Sequence, residues 1–403
     1  MAEPLTILIA ARDEAERIGK TIAELQRQFP EAELIVADDG SRDGTADVAE
    51  RAGALVLRLP HRGKGQALTL GERLATPGDL ILCDADLRGD LRPLVAVDGD
   101  LNVAAFARRQ GGGFGIAKQA AKRLVELRSG FRSREPLSGQ RRLTQRAREA
   151  VFPLAAGFGC ETAMTAEAAR VGLAIEETTV ELEHRATGRD LRGFLHRGLQ
   201  LRDILLAFGP QARNHRGLRL PLVGWVVGLA HPSLAPVAAV GVADDLWSGE
   251  ERGFRAHVGT GATTGVLKLV AIPAYGLLRT RSLSGALLVG LAANMLNQLD
   301  TKPGRALKAY LALSLPLRAP KTIAVLLASY DLREMAMLGD SGSNSLGAML
   351  GLRSVGRLTE RQRWSAIAAL AGLTLLGERR SLGALIESTP VFRELDAWGR
   401  QPV

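Results

Sequence analysis

Asp84 and Asp86, separated by one alanine, are the residues whose type and spacing most directly suggest chemistry. Two carboxylates two positions apart on an irregular turn can meet one hard cation, such as Mg²⁺ or Mn²⁺. A cation held there would neutralise the charge of a diphosphate. An Asp-Ala-Asp triplet alone is a weak signal, because strand ends often carry aspartate. The order of the segments around it makes the pattern specific.

Short apolar runs alternate with amphipathic stretches ahead of these acids. They predict strands at residues 5–10, 33–37, 54–58 and 79–83, and helices at 13–29, 45–52 and 64–74. This alternation predicts a mostly parallel sheet with crossover helices. The second strand ends at Asp38 and Asp39, and the fourth ends at Asp84. Ligands of parallel sheets bind at the carboxyl ends of strands, so we expect these acids to share one site.

Four segments in this order closely resemble inverting family 2 glycosyltransferases of the GT-A fold. They are IAARDE at 9–14, ADDGSRDGT at 37–45, GKG at 63–65 and DADL at 84–87. The pattern is most similar to polyprenyl-phosphate sugar synthases and glucosyl-3-phosphoglycerate synthases. It covers residues 4–90 well and extends more loosely to 190, with Ala10 where the family usually has proline. The resemblance implies an α/β GT-A domain, Rossmann-like with a mostly parallel sheet, over residues 1–210.

The resemblance also implies a nucleotide-diphosphate sugar as donor and Mg²⁺ or Mn²⁺ as cofactor. By this resemblance, the residues that contact the nucleotide sugar are Glu14, Asp38, Asp39, Lys64 and Asp84. Glu14, Asp38 and Asp39 would contact the nucleoside, and Lys64 the diphosphate. The metal ligands are Asp84 and Asp86, with Asp86 closest to the ion and counted as catalytic. Gly63 and Gly65 would let the backbone approach a phosphate.

Two later segments resemble other parts of these enzymes. Residues 137–141 (LSGQR) resemble the acceptor loop, and 157–162 (GFGCET) the segment that carries the catalytic base, which assigns that role to Glu161. Glu161 would remove a proton from an acceptor hydroxyl or orient the acceptor, since a phosphate acceptor is already ionised. His184 and Arg185 occupy positions of a family pair that binds acceptor or diphosphate. A lone histidine is more often structural.

The second half of the chain differs in composition. Of the net charge of +9, most lies in residues 216–403, which contain 21 Lys and Arg against 13 Asp and Glu. Apolar stretches occur at residues 218–243, 264–278, 283–299, 306–317, 322–330 and 365–376. Only the first approaches the roughly 20 residues of a membrane span. If the others extend into their flanks, the pattern predicts a helical membrane domain over 216–403 with four to six membrane segments.

Charge and cysteine content predict where the protein resides. Excess arginine on short loops is typical of the cytoplasmic side of a membrane. The N-terminus has acids and a strand where a signal peptide has its basic and apolar regions, and two cysteines fit a reducing compartment. We therefore expect a multi-pass protein of the cell (inner, cytoplasmic) membrane with a cytoplasmic N-terminal domain and membrane lipid as a partner. Aromatic residues are only 4%, and no nucleic-acid motif occurs, so nucleic acid is not an expected partner.

The apolar half carries a second set of acids. An Asp-Asp pair at 244–245, the segment NMLNQLD at 294–300 and GDSGS at 339–343 resemble polyprenyl-phosphate N-acetylhexosamine-1-phosphate transferases, relatives of phospho-MurNAc-pentapeptide translocase. The resemblance implies a possible second site for Mg²⁺ and nucleotide sugar at Asp244, Asp245, Lys268, Asn297, Asp300 and Asp340. The sequence departs from this family after Asp300, where the glycine-rich continuation is missing, and residues 378–400 contain no histidine.

Several functions fit these patterns. The first is a membrane-associated, metal-dependent glycosyltransferase whose acceptor is a polyprenyl phosphate or a small phosphorylated molecule. The alternatives are a bifunctional or phosphosugar-transferring enzyme of cell-envelope glycan synthesis, a non-catalytic membrane scaffold that binds lipid phosphate, and a soluble glycosyltransferase whose apolar half is a helical core. The released nucleotide separates the enzymes, because sugar transfer yields a nucleoside diphosphate and sugar-phosphate transfer a monophosphate.

Overall fold

The computed structural model describes residues 4–106, 115–183, 191–247 and 264–401. The chain divides into two compact units, Met1–Gly209 with Gly217–Arg219, and Pro210–Arg216 with Leu220–Val403. The strands are β1 Leu5–Ala11, β2 Glu33–Asp38, β3 Leu55–Arg58, β4 Asp79–Asp84, β5 Arg88–Gly89, β6 Leu101–Phe106, β7 Arg141–Leu143, β8 Ile175–Val180, β9 Leu182–Glu183, β10 Gln211–Arg213 and β11 Arg219–Pro221.

The helices fall into two groups along the chain. Those of the N-terminal unit are α1 Ala15–Gln28, α2 Thr45–Arg51, α3 Lys64–Glu72, α4 Arg92–Val95, α5 Ile116–Ser129, α6 Gln145–Val151, α7 Cys160–Arg170 and α8 Leu191–Ala207. Those of the C-terminal unit are α9 Val226–Ala230, α10 Ala235–Trp247, α11 Thr264–Thr280, α12 Leu283–Leu299, α13 Arg305–Leu317, α14 Thr322–Asp331, α15 Gly339–Val355, α16 Glu360–Arg379, α17 Leu382–Ser388 and α18 Pro390–Ala397.

The N-terminal unit is built on a seven-stranded sheet of order β3-β2-β1-β4-β7-β6-β8. Strands β3, β2, β1 and β4 are mutually parallel, and β6 is parallel to β8. Only β7 runs antiparallel, to both β4 and β6. Helix α1 buries Ile18, Ile22 and Leu25 at helical spacing beneath this sheet. The GT-A α/β architecture and the mostly parallel sheet predicted from the sequence are confirmed.

The C-terminal unit is helical and packs around α15. Gly347 and Gly351 of α15 lie against the backbone of α12, so a Cβ at either position would overlap Ala292 or Val289. The absence of these side chains lets the two helices approach closely. A buried apolar core, centred on residues such as Leu296 and Tyr310, surrounds this contact. The predicted helical character of this half is confirmed.

The membrane segments predicted for this half are not met by the described helices, since none is both long and apolar enough to cross a bilayer. The longest predicted run, 218–243, is divided among β11, α9, a 3₁₀ turn at Pro232–Leu234 and α10. Pro221 and Pro232 lie at its breaks, because proline cannot continue a hydrogen-bonded helix. Helices over most other runs have 10–17 residues, and α16, with 20, carries five charged side chains.

Candidate active site

Two acidic strand ends flank the end of β1. In the sheet register, Ala11 of β1 pairs with Asp38 of β2, and Ala10 pairs with Asp84 of β4. Because these strands are parallel, their carboxyl ends meet at one edge. The structure thus brings the two acidic motifs, some 45 residues apart in sequence, to the same edge of the sheet.

Lys64 joins three segments at this edge. Its Nζ atom lies 2.5 Å from Asp84 Oδ1 and 2.7 Å from Glu161 Oε1. Although burial lowers the pKa of Lys64, the two carboxylates raise it well above its usual value, so the ammonium is charged. Asp84 of β4, Lys64 of α3 and Glu161 of α7, each predicted from a different motif, are therefore in direct contact.

Asp84 is held on both oxygens. Lys64 binds Oδ1, and the amide Nε2 of Gln140 donates to Oδ2 over 2.9 Å. Gly139 lies directly against the same carboxylate, so a Cβ there would overlap it. Residues 137–141 thus enclose Asp84. Gln140 had no assigned role in the sequence, and its place in the LSGQR motif was the only signal.

Asp86 differs from Asp84 in its partners. Its side chain is half-buried, and among the described residues it makes no hydrogen bond or ion pair. A carboxylate without a hydrogen bond, two residues from the carboxylate of Asp84, is suited to bind a hard cation. No three His, Cys, Asp or Glu side chains in the described ranges are arranged to hold a metal by themselves. Asp84 and Asp86 supply carboxylate oxygens, the ligand type that Mg²⁺ and Mn²⁺ prefer.

Glu161 lies in the first turn of α7 and is 6% exposed. Its Oε1 faces Lys64, while Oε2 accepts a hydrogen bond of 3.1 Å from Cys160 Sγ. Burial, and after it the charge of Glu161, raises the pKa of the Cys160 thiol well above its usual value, so the thiol stays protonated and can donate.

Asp39 is buried and holds the loop that leads to Lys64. Its Oδ1 accepts from the backbone N–H of Arg62 at 2.6 Å, its Oδ2 from that of Gly63 at 3.0 Å, and Oδ2 lies 2.7 Å from His61 Nδ1. Its carboxylate is thus engaged by the protein backbone. The sequence did not indicate His61, which also contacts Arg12.

The two other predicted nucleoside contacts lie beside β2. Asp38 is buried and accepts a hydrogen bond from the hydroxyl of Ser41. Glu14 forms a 2.6 Å ion pair with Arg17, and its backbone N–H donates to Thr45 Oγ1. Neither contacts Lys64 in the hydrogen bonds described. His184 and Arg185 lie outside the described residues.

The C-terminal acids also meet at a lysine. Lys268 Nζ of α11 lies 2.6 Å from Asp244 Oδ2 and 2.5 Å from Asp340 Oδ2. Although burial lowers the pKa of Lys268, Asp340 and Asp244 raise it above its usual value. The structure thus brings together residues from α10, α11 and α15 that the second resemblance had grouped.

Other acids of this group bind backbone amides. Asp245 accepts from the N–H groups of Asp340 and Ser341 at 2.8 and 3.1 Å, in the first turn of α15. Burial raises the pKa of Asp300 well above its usual value, and nearby Asp331 adds to the effect. Asn297 lies one turn before Asp300 on α12. The Asp245 carboxylate thus lies at the N-terminus of α15, where a negative charge is favourable.

Asp331 belongs to the same region but was missed by the sequence analysis. Its Oδ2 accepts from the backbone N–H of Gly304 at 2.5 Å, and burial raises its pKa to about 6. Asp331 is the last residue of an apolar helix and belongs to no sequence motif. Only the packing of α14 against neighbouring segments shows that it is part of this acidic group.

Comparisons with known proteins agree with the N-terminal architecture. Residues 6–125 match the model of the glycosyl transferase family 2. Glycosyltransferase AglJ of Haloferax volcanii is 28% identical over 269 residues, which cover 60% of this chain and 88% of that protein. The 4,4'-diaponeurosporenoate glycosyltransferase of Staphylococcus haemolyticus is 34% identical over 92 residues, 21% of this chain and 24% of the relative.

Among solved structures, glucosyl-3-phosphoglycerate synthase from Mycobacterium tuberculosis, in complex with Mn²⁺, UDP and phosphoglyceric acid, superposes with a TM-score of 0.43 at 23% identity, over 51% of this chain and 77% of that one. Mannosyl-3-phosphoglycerate synthase from Rubrobacter xylanophilus superposes with a TM-score of 0.42 at 23% sequence identity, over 51% of this chain and 73% of that one. The match over residues 6–125, within the N-terminal unit, and the similarity to sequence relatives that are glycosyltransferases support a glycosyltransferase.

Proposed function

We propose that the protein transfers a sugar from a nucleotide-diphosphate donor to a phosphorylated acceptor, either polyprenyl phosphate or a small phosphorylated molecule, with Mg²⁺ or Mn²⁺ as cofactor. One observation carries the proposal: Lys64 joins Asp84 to Glu161 at the carboxyl edge of the sheet. Asp86 follows two residues after Asp84 and makes no hydrogen bond or ion pair among the described residues. Carboxylates and one ammonium at a strand edge suit a diphosphate-sugar reaction.

The charges at this edge define how the residues act. A cation held by Asp84 and Asp86 would supply charge neutralisation for the departing nucleoside diphosphate. Lys64 would bind the same diphosphate, since its ammonium remains charged in the buried site. A fixed positive charge stabilises the transition state because it is already oriented where negative charge develops.

Glu161 would face the acceptor in this scheme. An ionised carboxylate can accept a proton from a hydroxyl acceptor or orient it. A phosphate acceptor needs little base, and Glu161 then serves to position it. Glu14 and Asp38 are proposed to contact the nucleoside, and His184 and Arg185 the acceptor or diphosphate. Asp39 would act through the loop that it holds, since backbone amides already engage its carboxylate.

The direct test incubates the purified chain with UDP- and GDP-sugars, with undecaprenyl phosphate or 3-phosphoglycerate as acceptor, and with Mg²⁺, Mn²⁺ or EDTA. Release of UDP or GDP that depends on both acceptor and metal supports the proposal. Asp86→Ala is expected to abolish it, and Asp98→Ala, which changes an exposed acid of the same unit, serves as the matched control. No nucleotide release with any donor and acceptor contradicts the proposal.

A second candidate function concerns the C-terminal unit. We propose that the residues around Lys268 bind the phosphate of a lipid or take part in sugar-phosphate transfer. This possible second site comprises Asp244, Asp245, Lys268, Asn297, Asp300 and Asp340. The convergence of Asp244 and Asp340 on Lys268 favours it, because a phosphate could replace one carboxylate as the partner of the ammonium. Release of UMP, and its loss in Lys268→Met, would support sugar-phosphate transfer.

We also propose that the protein associates with the cell membrane, with its N-terminal unit on the cytoplasmic side. The support is that large apolar side chains are exposed on many helices of the C-terminal unit, including Leu278 on α11, Leu315 on α13 and Trp398 after α18. Exposed apolar surface of this extent marks an interaction surface. Fractionation tests it: recovery in the supernatant without detergent contradicts membrane association and favours the helical-core alternative.

The scaffold alternative has its own test. If the protein acts only by binding lipid phosphate, the Asp86→Ala variant fully complements a strain from which the gene has been deleted. If sugar transfer is its role, the same variant fails to complement, although it accumulates to the wild-type level.

A further inference from the structure

Asp203 on α8 contacts the turn from which the Glu161 helix begins. Its Oδ2 atom accepts a hydrogen bond of 3.1 Å from the backbone N–H of Phe158. Gly157 and Gly159 flank Phe158, and a Cβ on either glycine would overlap Asp203. Gly157 also has a φ of 62°, which favours glycine. The GFG turn is thus shaped to fit Asp203.

The other side of the same turn contacts the segment that carries Lys64. The backbone N–H of Gly157 donates to Gln66 Oε1 of α3 over 3.4 Å. A Cβ on Gly63, the residue before Lys64, would lie at van der Waals distance from the backbone of Gly157, so the two glycines face each other. The turn is therefore held between α3 on one side and α8 on the other.

This position determines where Glu161 lies. Helix α7 begins at Cys160, directly after the turn, so a shift of the turn moves the first residues of the helix with it. Glu161 is almost fully buried and lies 2.7 Å from Lys64, which leaves little room to compensate by a rotamer change. A carboxylate at Asp203 also bonds more strongly to the Phe158 amide than a neutral acceptor, and it lies near the positive end of α7.

We propose that Asp203 is a positioning residue: it holds the GFG turn so that Glu161 meets Lys64 at the active site. This rests on the proposed role of Glu161. Asp203 lies outside residues 6–125, which match the family model, and outside every motif identified in the sequence. Its side chain belongs to α8, which lies after the last motif of the N-terminal unit whose position the structure describes.

The test compares Asp203→Ala, Asp203→Asn and the control Leu205→Ala, which truncates an exposed side chain of the same helix. Hydrogen–deuterium exchange of peptides covering 154–165 reports the turn directly. We expect Asp203→Ala to raise exchange there by about fivefold, because a local restraint is lost. With UDP-glucose and Mn²⁺ as probe, kcat for UDP release should fall about tenfold and KM change less than about twofold, since donor contacts remain.

The conservative variant separates positioning from folding. The amide oxygen of Asp203→Asn can still accept from Phe158, so both exchange and kcat should return most of the way to wild type, and Leu205→Ala should match wild type. Wild-type exchange in Asp203→Ala overturns the proposal, as does increased exchange throughout the N-terminal unit. If wild type releases no UDP from UDP-glucose, the proposed function fails for that donor, while the exchange result still decides the role of Asp203.

Discussion

A lysine ammonium lies between two carboxylates in each half of the chain, and different elements assemble the two groups. Lys64 follows a glycine turn at the open edge of a parallel sheet and joins Asp84 to Glu161. Lys268 lies within a helix and joins Asp244 to Asp340 between packed helices. Both lysines stay charged, because neighbouring carboxylates more than offset the effect of burial.

The two groups differ in how the remaining acids are used. In the N-terminal unit, Asp86 makes no hydrogen bond or ion pair among the described residues, so its carboxylate oxygens are open to a ligand. Near Lys268, Asp245 accepts hydrogen bonds from two backbone amides of α15, and burial raises the pKa of Asp300 well above its usual value. A similar set of residue types therefore leaves an acid without a hydrogen bond in the described part of one unit, and engages an acid with helix amides in the other. Which carboxylates the backbone already engages decides between these outcomes.

The largest expected effect tests this contrast directly. Asp86→Ala should lower the rate of nucleoside diphosphate release by about 100-fold or more, because a cation ligand at the departing diphosphate is lost. Asp340→Ala should leave that rate within about twofold, since it changes only the cluster in the other unit. Coupled assays of UDP or GDP measure both. Equal losses in the two variants would break the comparison, because they would show that both clusters serve one reaction.

The two lysines provide the next test. Lys64→Met should reduce nucleoside diphosphate release by roughly 10- to 100-fold, because a fixed charge opposite the diphosphate is removed. Lys268→Met should instead lower the melting temperature of the C-terminal unit by several degrees, since it leaves partly buried carboxylates without their counter-charge. All four tryptophans lie between residues 225 and 398, so tryptophan emission reports unfolding of that unit. An unchanged melting temperature in Lys268→Met would contradict a structural role.

A smaller effect is expected where the acceptor-loop motif approaches Asp84. Gly139→Ala places a Cβ where the Asp84 carboxylate lies, so that carboxylate must shift. We expect a loss of about tenfold in kcat, the size typical of a small misplacement of an active-site group. Gly198→Ala is the control, because a Cβ at that helical position meets open space. Wild-type kcat in Gly139→Ala would show that the loop can move without disturbing the site.

The smallest effect concerns pH and the C-terminal unit. Burial raises the pKa of Asp340 to about 7 and that of Asp331 to about 6, from a usual value of 3.8. The folded unit therefore binds protons that the unfolded chain releases, so this contribution to stability is complete below pH 3.8 and is lost as the pH rises through 6 and 7. The tryptophan-monitored melting temperature should rise by about 2–4 °C as pH falls from about 8 to about 5.

Substitution identifies the groups responsible for this pH dependence. Asp331→Asn and Asp340→Asn should each flatten it, because an amide does not titrate. Asp98→Asn, in the other unit, should leave it unchanged. A melting temperature that falls steadily from pH 8 to 5 in wild type would mean that these acids titrate at ordinary values.

The N-terminal fold was largely readable from local patterns. Predicted strands and helices up to residue 84 agree with the structure to within about two residues at each end. Short apolar runs and the helical spacing of apolar residues are local properties, so they appear in the sequence. The long apolar run at 218–243 misled the prediction, because hydropathy summed over the run did not register the prolines that divide it.

The sequence by itself determined the order of the chemically active residue types. Two pairs of acids follow strands, a lysine follows a glycine turn, and Glu161 lies in a glycine-rich segment. Only the tertiary structure decided how they combine, with Lys64 between Asp84 and Glu161, the Asp39 carboxylate bound to the loop amides, and Asp203 on the GFG turn. The reason is physical. Strand ends follow from local periodicity, whereas hydrogen bonds and ion pairs require atoms distant in sequence to meet at a few ångströms, and packing sets that distance.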